Sequence, residues 1–217
     1  LAVGWVTLAA ALVLWLALPG QGWEGGTARL VGETSLTWVA AGDGLAVIRY
    51  HVGLDAISAP LLLLTGLLVP LSIWCSFTAI NTRIREYYAW LLLLTAGMFG
   101  VFAARDLLLF YVFFEFTLVP LYFLIGIWGG PQRRYAANKF FLFTFVGSVV
   151  TFAGIVYLAI RGATPAGIDF DLLRLSSLSL SSTEQIWLFV AFLCGFAIKV
   201  PFFPLHPWPP LAPTRAP

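Results

Sequence analysis

The sequence predicts an all-α integral membrane protein, a polytopic bundle of about six transmembrane helices. Of its 217 residues, 60% are hydrophobic and only 10% are charged, whereas soluble globular domains carry about 25% charged residues. Several apolar stretches approach or exceed the roughly 18 to 20 residues that cross a bilayer. Because so few charges cannot cover a water-soluble surface, we expect lipid to be the solvent for most of the chain.

Six apolar segments predict the spanning helices. They are residues 1–18, 55–79, 88–104, 106–128, 135–160 and 184 to about 205. Residues 19–54 are predicted to form an extra-membrane loop, in which β-branched runs favour a hairpin. The connection 162–183 contains two aspartates and a Leu/Ser alternation, which indicates a surface segment with one amphipathic turn.

Composition and motifs argue against several other classes of protein. The net charge is only +2, and no basic tract or stacking motif supports nucleic-acid binding. Cys75 and Cys194 lie inside apolar spans without ligand-like spacing, so neither a disulfide framework nor a metal site is indicated. Without a phosphate-binding glycine loop or a nucleophile beside a base, hydrolase, redox and nucleotide sites have no support either.

Glu115 lies near the middle of the fourth predicted span, with roughly two to three helical turns of mostly apolar residues on either side. An ionised acid at the bilayer centre costs about 2.5 to 3.5 kcal/mol on insertion scales, so Glu115 should face the bundle interior and have a partner or be protonated. A carboxyl group whose protonation responds to a nearby cation is suited to proton transfer. The alternative is a purely structural polar contact between helices.

Lys199 is the matching cation in the last predicted span, and Pro201 and Pro204 follow it closely. One interpretation is that its ammonium group simply extends to the membrane interface. The functional interpretation is that the prolines leave backbone carbonyls unpaired beside a hydrated helix break. A buried lysine at such a break can pass a proton and change its pairing with Glu115.

His206 and Pro120 extend this hypothesis. His206 could continue the proton path because imidazole titrates near neutral pH, although an interfacial histidine without a role is the alternative. Pro120 predicts a kink that frees polar backbone near Glu115. We therefore predict Glu115, Lys199 and His206 as proton-transfer residues, and ion movement as the function.

Four motifs surround these residues. They are Gly-Leu-Asp-Ala-Ile-Ser at 53–58, Phe-Phe-Glu-Phe-Thr-Leu-Val-Pro at 113–120, and the segments 135–141 and 196–206. Together they resemble the antiporter-like proton-pumping membrane subunit of respiratory complex I, the NADH-quinone oxidoreductase subunit M or subunit 4 family. The resemblance implies that Glu115 and Lys199 form the charged pair of a proton half-channel, in which the helix of the lysine is broken near its middle.

The same resemblance implies the setting of the chain. It would be a non-redox subunit of NADH:quinone oxidoreductase without a catalytic centre of its own. NADH, FMN, iron–sulfur clusters and quinone would be bound by partner subunits, and no cofactor by this chain. Its partners would be other membrane subunits of complex I, the lipid bilayer and protons, with no nucleic acid. The expected location is the bacterial inner membrane, as a multi-pass protein.

The resemblance covers only part of the first half of such a subunit, which has many more spanning helices. It therefore predicts a chain truncated at both its N- and C-terminal ends. We interpret residues 1–217 as one partial proton-conducting membrane transporter domain, with the extra-membrane loop at 19–54 and a divergent, proline-rich tail at 207–217. In that tail, Pro213 replaces the second histidine of the family.

Two other functions fit the same residues. Subunits of multi-subunit sodium/proton antiporters of the Mrp type, and of membrane-bound hydrogenase complexes, are similar in fold and motifs. A structural scaffold is a different class, in which both charges merely hold helices together. Positions of Glu115 and Lys199 at the headgroups, or far apart, would favour the scaffold.

Overall fold

The computed structural model describes residues 2–17, 30–41, 46–165 and 167–203. In this part of the chain, most residues are helical. The elements are α1 (Ala2–Leu16), β1 (Val31–Ala41), β2 (Ala46–Leu54), α2 (Ser58–Ser76), α3 (Ile84–Ala103), α4 (Leu107–Phe116), α5 (Leu118–Trp128), α6 (Arg133–Arg161), β3 (Ile168–Asp169), α7 (Leu172–Ser176) and α8 (Ser182–Lys199).

Five segments of the described chain are long and apolar enough to cross a membrane: α2, α3, the α4–α5 pair, α6 and α8. The predicted span at residues 1–18 contains α1, an apolar helix of 15 residues that is shorter than these five. The predicted multi-pass helical membrane fold is confirmed. The short helix α7 provides the helical turn expected in the connection 162–183.

The helices pack in an order that follows the chain. α1 packs on α2, α3 lies between α2 and the α4–α5 pair, and α6 lies between that pair and α8. Glycines allow these close approaches, because small residues let helix backbones come together in a membrane. A Cβ atom at Gly100 would lie 2.3 Å from the Phe113 ring, and one at Gly147 would lie 2.8 Å from Ile198 Cδ1.

Helices α6 and α8 approach each other closely at Gly195. A Cβ atom there would lie 1.9 Å from Thr151 Oγ1 and 3.1 Å from the Gly147 carbonyl oxygen. Substitution Gly195→Ala is therefore expected to push α8, which carries Lys199, away from α6. Overpacking of this kind costs about 1 to 3 kcal/mol, and the loss should appear as a lower thermal unfolding temperature of the purified protein in detergent.

Gly126→Ala is the matched control for this prediction. A Cβ atom at Gly126 would lie 3.5 Å from Ala137 Cβ, which is an ordinary van der Waals distance, so this variant should unfold at or above the wild-type temperature. Equal unfolding temperatures for the two alanine variants would contradict the close packing of α6 against α8.

A small sheet lies outside the spanning helices, where the hairpin was predicted. β1 and β2 are antiparallel, with Thr34 opposite Val52 and Ser35 opposite His51, and β3 adds a short parallel pairing to β2. The hairpin within residues 19–54 is confirmed for the described strands. Residues 18–29 and 42–45, with the tail at 207–217, lie outside the described residues.

Ion pairs join this sheet to the connection between α6 and α8. Arg49 on β2 lies 3.2 Å from Asp169, which also pairs with Arg174 at 3.3 Å. The two ring nitrogens of His51 lie 2.9 Å from a Glu33 oxygen and 3.3 Å from an Asp171 oxygen. These contacts fix the sheet over one end of the helix bundle.

Asp55 connects the start of α2 to the turn between α3 and α4. Its carboxylate accepts hydrogen bonds from the backbone N–H groups of Ile57 and Ser58, at 3.0 and 2.7 Å, and pairs with Arg105 at 2.9 Å. Burial alone would raise the pKa of Asp55, but the hydrogen bonds from Ser58, Ile57 and Arg105 outweigh it and lower the pKa below its usual value. Asp55 therefore ties the N-terminal end of α2 to the turn between α3 and α4.

Candidate functional site

The depth of Glu115 in the membrane is set at the start of α4. Asp106, only 1% exposed, caps this helix by accepting the N–H groups of Leu108 and Leu109 at 3.0 Å each. Its other carboxylate oxygen accepts the Arg49 N–H from β2 at 3.2 Å. Because a helix rises about 1.5 Å per residue, Glu115 lies about 13 Å further into the membrane than this cap.

The helix that carries Glu115 is interrupted just beyond it. α4 ends at Phe116, α5 begins at Leu118, and Thr117 lies between them. Pro120 has no N–H to donate to the Phe116 carbonyl, and the following bond, from Leu121 N to Thr117 O, is long at 3.5 Å. The Phe116 carbonyl, next to Glu115, therefore lacks its helical donor at mid-span, while Thr117 keeps helical backbone angles (φ −62°, ψ −22°). The kink at Pro120 stays a prediction.

Lys199 reaches this interruption from the last residue of α8. Its Nζ donates to the Phe114 carbonyl oxygen at 3.0 Å and to Thr117 Oγ1 at 3.3 Å. It also lies 3.2 Å from the centroid of the Phe114 ring, where a cation is attracted by the negative face of the aromatic system.

The depth of these contacts places the ammonium group well inside the membrane. Thr117 is the eleventh of the 22 residues in the span Leu107–Trp128, counting from Leu107. Lys199 therefore donates its hydrogen bonds at mid-span and not at a membrane interface.

Beyond Lys199, the backbone leaves the helical pattern. Val200 still donates to the carbonyl four residues back, of Phe196, at 2.8 Å, whereas Phe202 donates to the carbonyl five residues back, of Ala197, at 2.8 Å. Pro201, between them, has no N–H to contribute. Helix α8 therefore ends at Lys199, two residues before Pro201. Pro204 and His206 lie outside the described residues.

Glu115 and Lys199 are neighbours but are not paired in this structure. The Glu115 carboxylate forms no ion pair with Lys199, and its Oε1 is buried without a hydrogen-bond partner among the described residues. The two groups are still close enough to interact electrostatically. The charged pair therefore stays a prediction, although the fold brings both residues to one region of the bundle.

Sequence reasoning missed a polar row on α6 that faces this region. Thr144, Ser148 and Thr151 are buried, and their spacing of four and three residues puts them on one helix face. Ser148 interacts with both Glu115 and Tyr111 and donates its hydroxyl hydrogen to the Phe145 carbonyl at 2.8 Å. A hydroxyl has one hydrogen, so Ser148 cannot donate to Glu115 at the same time.

Thr117 was also missed, although the motif at 113–120 contains it. Helical periodicity did not link Thr117 to Glu115, because residues two positions apart do not share a helix face. Within the described residues, no group of three or more His, Cys, Asp or Glu side chains could hold a metal ion.

The comparisons with known proteins identify the family of the chain. The model of the NADH:quinone oxidoreductase/Mrp antiporter transmembrane family matches residues 104–217, which include Glu115 and Lys199. NADH-quinone oxidoreductase subunit M of Rhodobacter capsulatus is 43% identical over 178 residues, which make up 78% of this chain and 35% of that protein.

Solved structures share the fold. A chain of respiratory complex I from Thermus thermophilus, with bound NADH, matches 98% of this chain with a TM-score of 0.82 and 29% identity. A chain of the Mrp complex from Dietzia sp. matches 99% with a TM-score of 0.74, but at 22% identity it shows the fold alone.

This chain spans between 35% and 41% of the length of these three proteins. The family match covers more than half of the chain, and it includes the interrupted span and the helix that carries the mid-span lysine. Sequence, fold and geometry therefore agree that the chain belongs to the NADH:quinone oxidoreductase/Mrp antiporter transmembrane family.

Proposed function

We propose that this chain is part of the proton-translocating membrane subunit of an NADH:quinone oxidoreductase in a bacterial inner membrane. Residues 1–217 form one partial proton-conducting domain, and Glu115 and Lys199 transfer the protons. The subunit has no catalytic centre of its own. NADH, FMN, iron–sulfur clusters and quinone belong to partner subunits. The name of the Rhodobacter capsulatus relative supports this assignment.

The observation that carries the proposal is the position of the Lys199 ammonium group. It lies at mid-span and donates hydrogen bonds to two neutral acceptors, the carbonyl of Phe114, which precedes Glu115, and the hydroxyl of Thr117. A charged lysine is costly at this depth, and such residues mark ion pathways and proton relays. A cation that merely joined two helices would be expected to pair with the nearby carboxylate.

The chemistry follows from the distance between the two groups. A cation close to a carboxyl group favours its ionised form, so movement of Lys199 toward Glu115 releases a proton, and movement away allows a proton to bind. Transfer of one charge against 100 mV needs about 2.3 kcal/mol. The energy of quinone reduction in partner subunits would drive the movement, and His206 would continue the path beyond Lys199.

Isolation of the native assembly tests this function. Native membranes would be solubilised gently, the tagged gene product captured, and the accompanying proteins identified by mass spectrometry. Co-purification of NADH-oxidising subunits that contain iron–sulfur clusters is the expected result. Recovery of the chain without any redox subunit would contradict the proposal.

The second candidate function is a subunit of a multi-subunit sodium/proton antiporter of the Mrp type, or of a membrane-bound hydrogenase complex. The fold similarity to the Mrp complex supports the antiporter, which uses no redox energy. In the same experiment, recovery of antiporter-like membrane proteins alone would favour this candidate over the respiratory enzyme.

A further inference from the structure

The ammonium group of Lys199 occupies a defined set of acceptors at the α4–α5 interruption. Lys199 Nζ donates to Thr117 Oγ1 at 3.3 Å and to the Phe114 carbonyl oxygen at 3.0 Å. The Thr117 hydroxyl donates its own hydrogen to the same carbonyl, at 2.8 Å. The ammonium group therefore has two hydrogen-bond acceptors, one of which also accepts from Thr117, and the Phe114 ring lies against the cation.

Both the methyl group and the hydroxyl group of Thr117 contact neighbouring helices. Thr117 is 6% exposed, and its Cγ2 would lie 3.1 Å from a Cβ atom built at Gly97 on α3. The methyl group thus packs on α3 while the hydroxyl faces Lys199. This two-sided contact holds Oγ1 in the position where it accepts from the ammonium group.

We propose that Thr117, together with the carbonyl and ring of Phe114, forms a second docking site for the Lys199 ammonium group, used when the lysine is not paired with Glu115. This inference rests on the proposed function and adds a positioning residue to it. Thr117 does not exchange protons itself; it determines how strongly Lys199 is held away from the carboxylate.

The docking site links the position of the lysine to the protonation of Glu115. A neutral Glu115 attracts the ammonium group weakly, so the neutral acceptors at the interruption retain it. An ionised Glu115 competes through its full charge, because charge-assisted hydrogen bonds are stronger than bonds to neutral acceptors. Glu115 and Lys199 already interact electrostatically in this structure, so the lysine can exchange acceptors without a large movement of α8.

Two substitutions of Thr117 separate its polar role from its packing role. Thr117→Val keeps the shape and the methyl contact with Gly97 but removes the hydroxyl, whereas Thr117→Ser keeps the hydroxyl but removes the methyl. Proton translocation per NADH oxidised would be measured in membrane vesicles that contain the assembled complex. We expect proton translocation per NADH oxidised to fall about tenfold in the valine variant, the size expected for loss of one hydrogen bond to a charged group. The serine variant should retain wild-type translocation.

Thr95→Val is the matched control. Thr95 is a buried threonine on α3 whose Oγ1 donates to the Leu91 carbonyl of its own helix at 2.8 Å, like Thr117 and Phe114. It makes no contact with Lys199, so this variant should translocate protons normally. Loss of translocation in Thr95→Val equal to that in Thr117→Val would contradict a specific role for Thr117.

The remaining outcomes separate this inference from the proposed function. Normal translocation in Thr117→Val overturns the docking site, and so does a serine variant that is more impaired than the valine variant, because packing would then be the main role. If the valine variant does not assemble, loss of translocation in the serine variant still overturns it. Lys199→Met, measured in the same preparation, tests the proposed function: if that variant pumps normally, the function itself fails.

Discussion

Substitution of Lys199 by methionine is expected to lower proton translocation per NADH oxidised by at least about tenfold, because a group that transfers a proton typically contributes about 10²- to 10⁴-fold. Methionine has an unbranched apolar side chain of similar length, so it suits the membrane interior. The Phe114 carbonyl still accepts from Thr117 after the change. We therefore expect normal assembly of the protein together with loss of translocation.

Lys199→Arg distinguishes two roles of the lysine. Arginine keeps the positive charge but cannot be deprotonated in proteins. If Lys199 must release its proton, the arginine variant should translocate as little as the methionine variant. Translocation near the wild-type level in Lys199→Arg would show that a movable charge is sufficient and would contradict proton transfer through the lysine.

The measurement is made with inside-out membrane vesicles, in which acidification of the lumen and NADH oxidation are followed together. Arg85→Gln removes a positive charge from an exposed position at the start of α3, so this control should behave as wild type. If Lys199→Met translocated as many protons per NADH oxidised as the wild type, Lys199 would have no role in proton transfer.

Glu115→Gln is expected to produce the second large effect, again a loss of at least about tenfold in coupled proton translocation. Glutamine has nearly the same shape but cannot gain or lose a proton at this position. Because the Glu115 carboxylate forms no ion pair in this structure, the substitution breaks no salt bridge, and the unfolding temperature should change little. The expected result is an assembled protein in which NADH oxidation is no longer accompanied by proton translocation.

Two further variants control this result. Glu86→Gln makes the same chemical change at an exposed glutamate that is paired with Arg83, and it should leave translocation unchanged. Glu115→Asp keeps the carboxyl group but shortens the side chain by one methylene, so partial translocation is expected. Full activity of Glu115→Gln would show that the carboxyl group is not a proton carrier and would favour a structural contact between helices.

The sequence predicted the membrane fold because length and apolarity are local properties. A run of about 20 apolar residues can satisfy its backbone in lipid only as a helix or within a closed barrel, so spans such as α2 and α6 follow from composition alone. The same reasoning identified Glu115 and Lys199, because a charged residue inside an apolar span can be recognised without any knowledge of its neighbours in the fold. The hairpin was also predicted from local β-branched runs.

The partner of Lys199 could not be derived in this way. Phe114 and Lys199 are separated by 85 positions, and residue type predicts the opposite charge of Glu115 as the preferred partner. The acceptors that the lysine actually uses include a backbone carbonyl, which carries no sequence signal. The role of Thr117 depends on the interruption between α4 and α5 and on the methyl contact with Gly97.

The sequence by itself thus determined that the protein lies in lipid, where its helical spans are, and that two charges lie inside them, because each depends on the cost of transferring local groups into lipid. Only the tertiary structure decided how the charges are arranged: close together, unpaired, and with Lys199 held by Thr117 and Phe114. That arrangement depends on where α8 ends relative to the interruption after α4, and packing between distant segments sets this position.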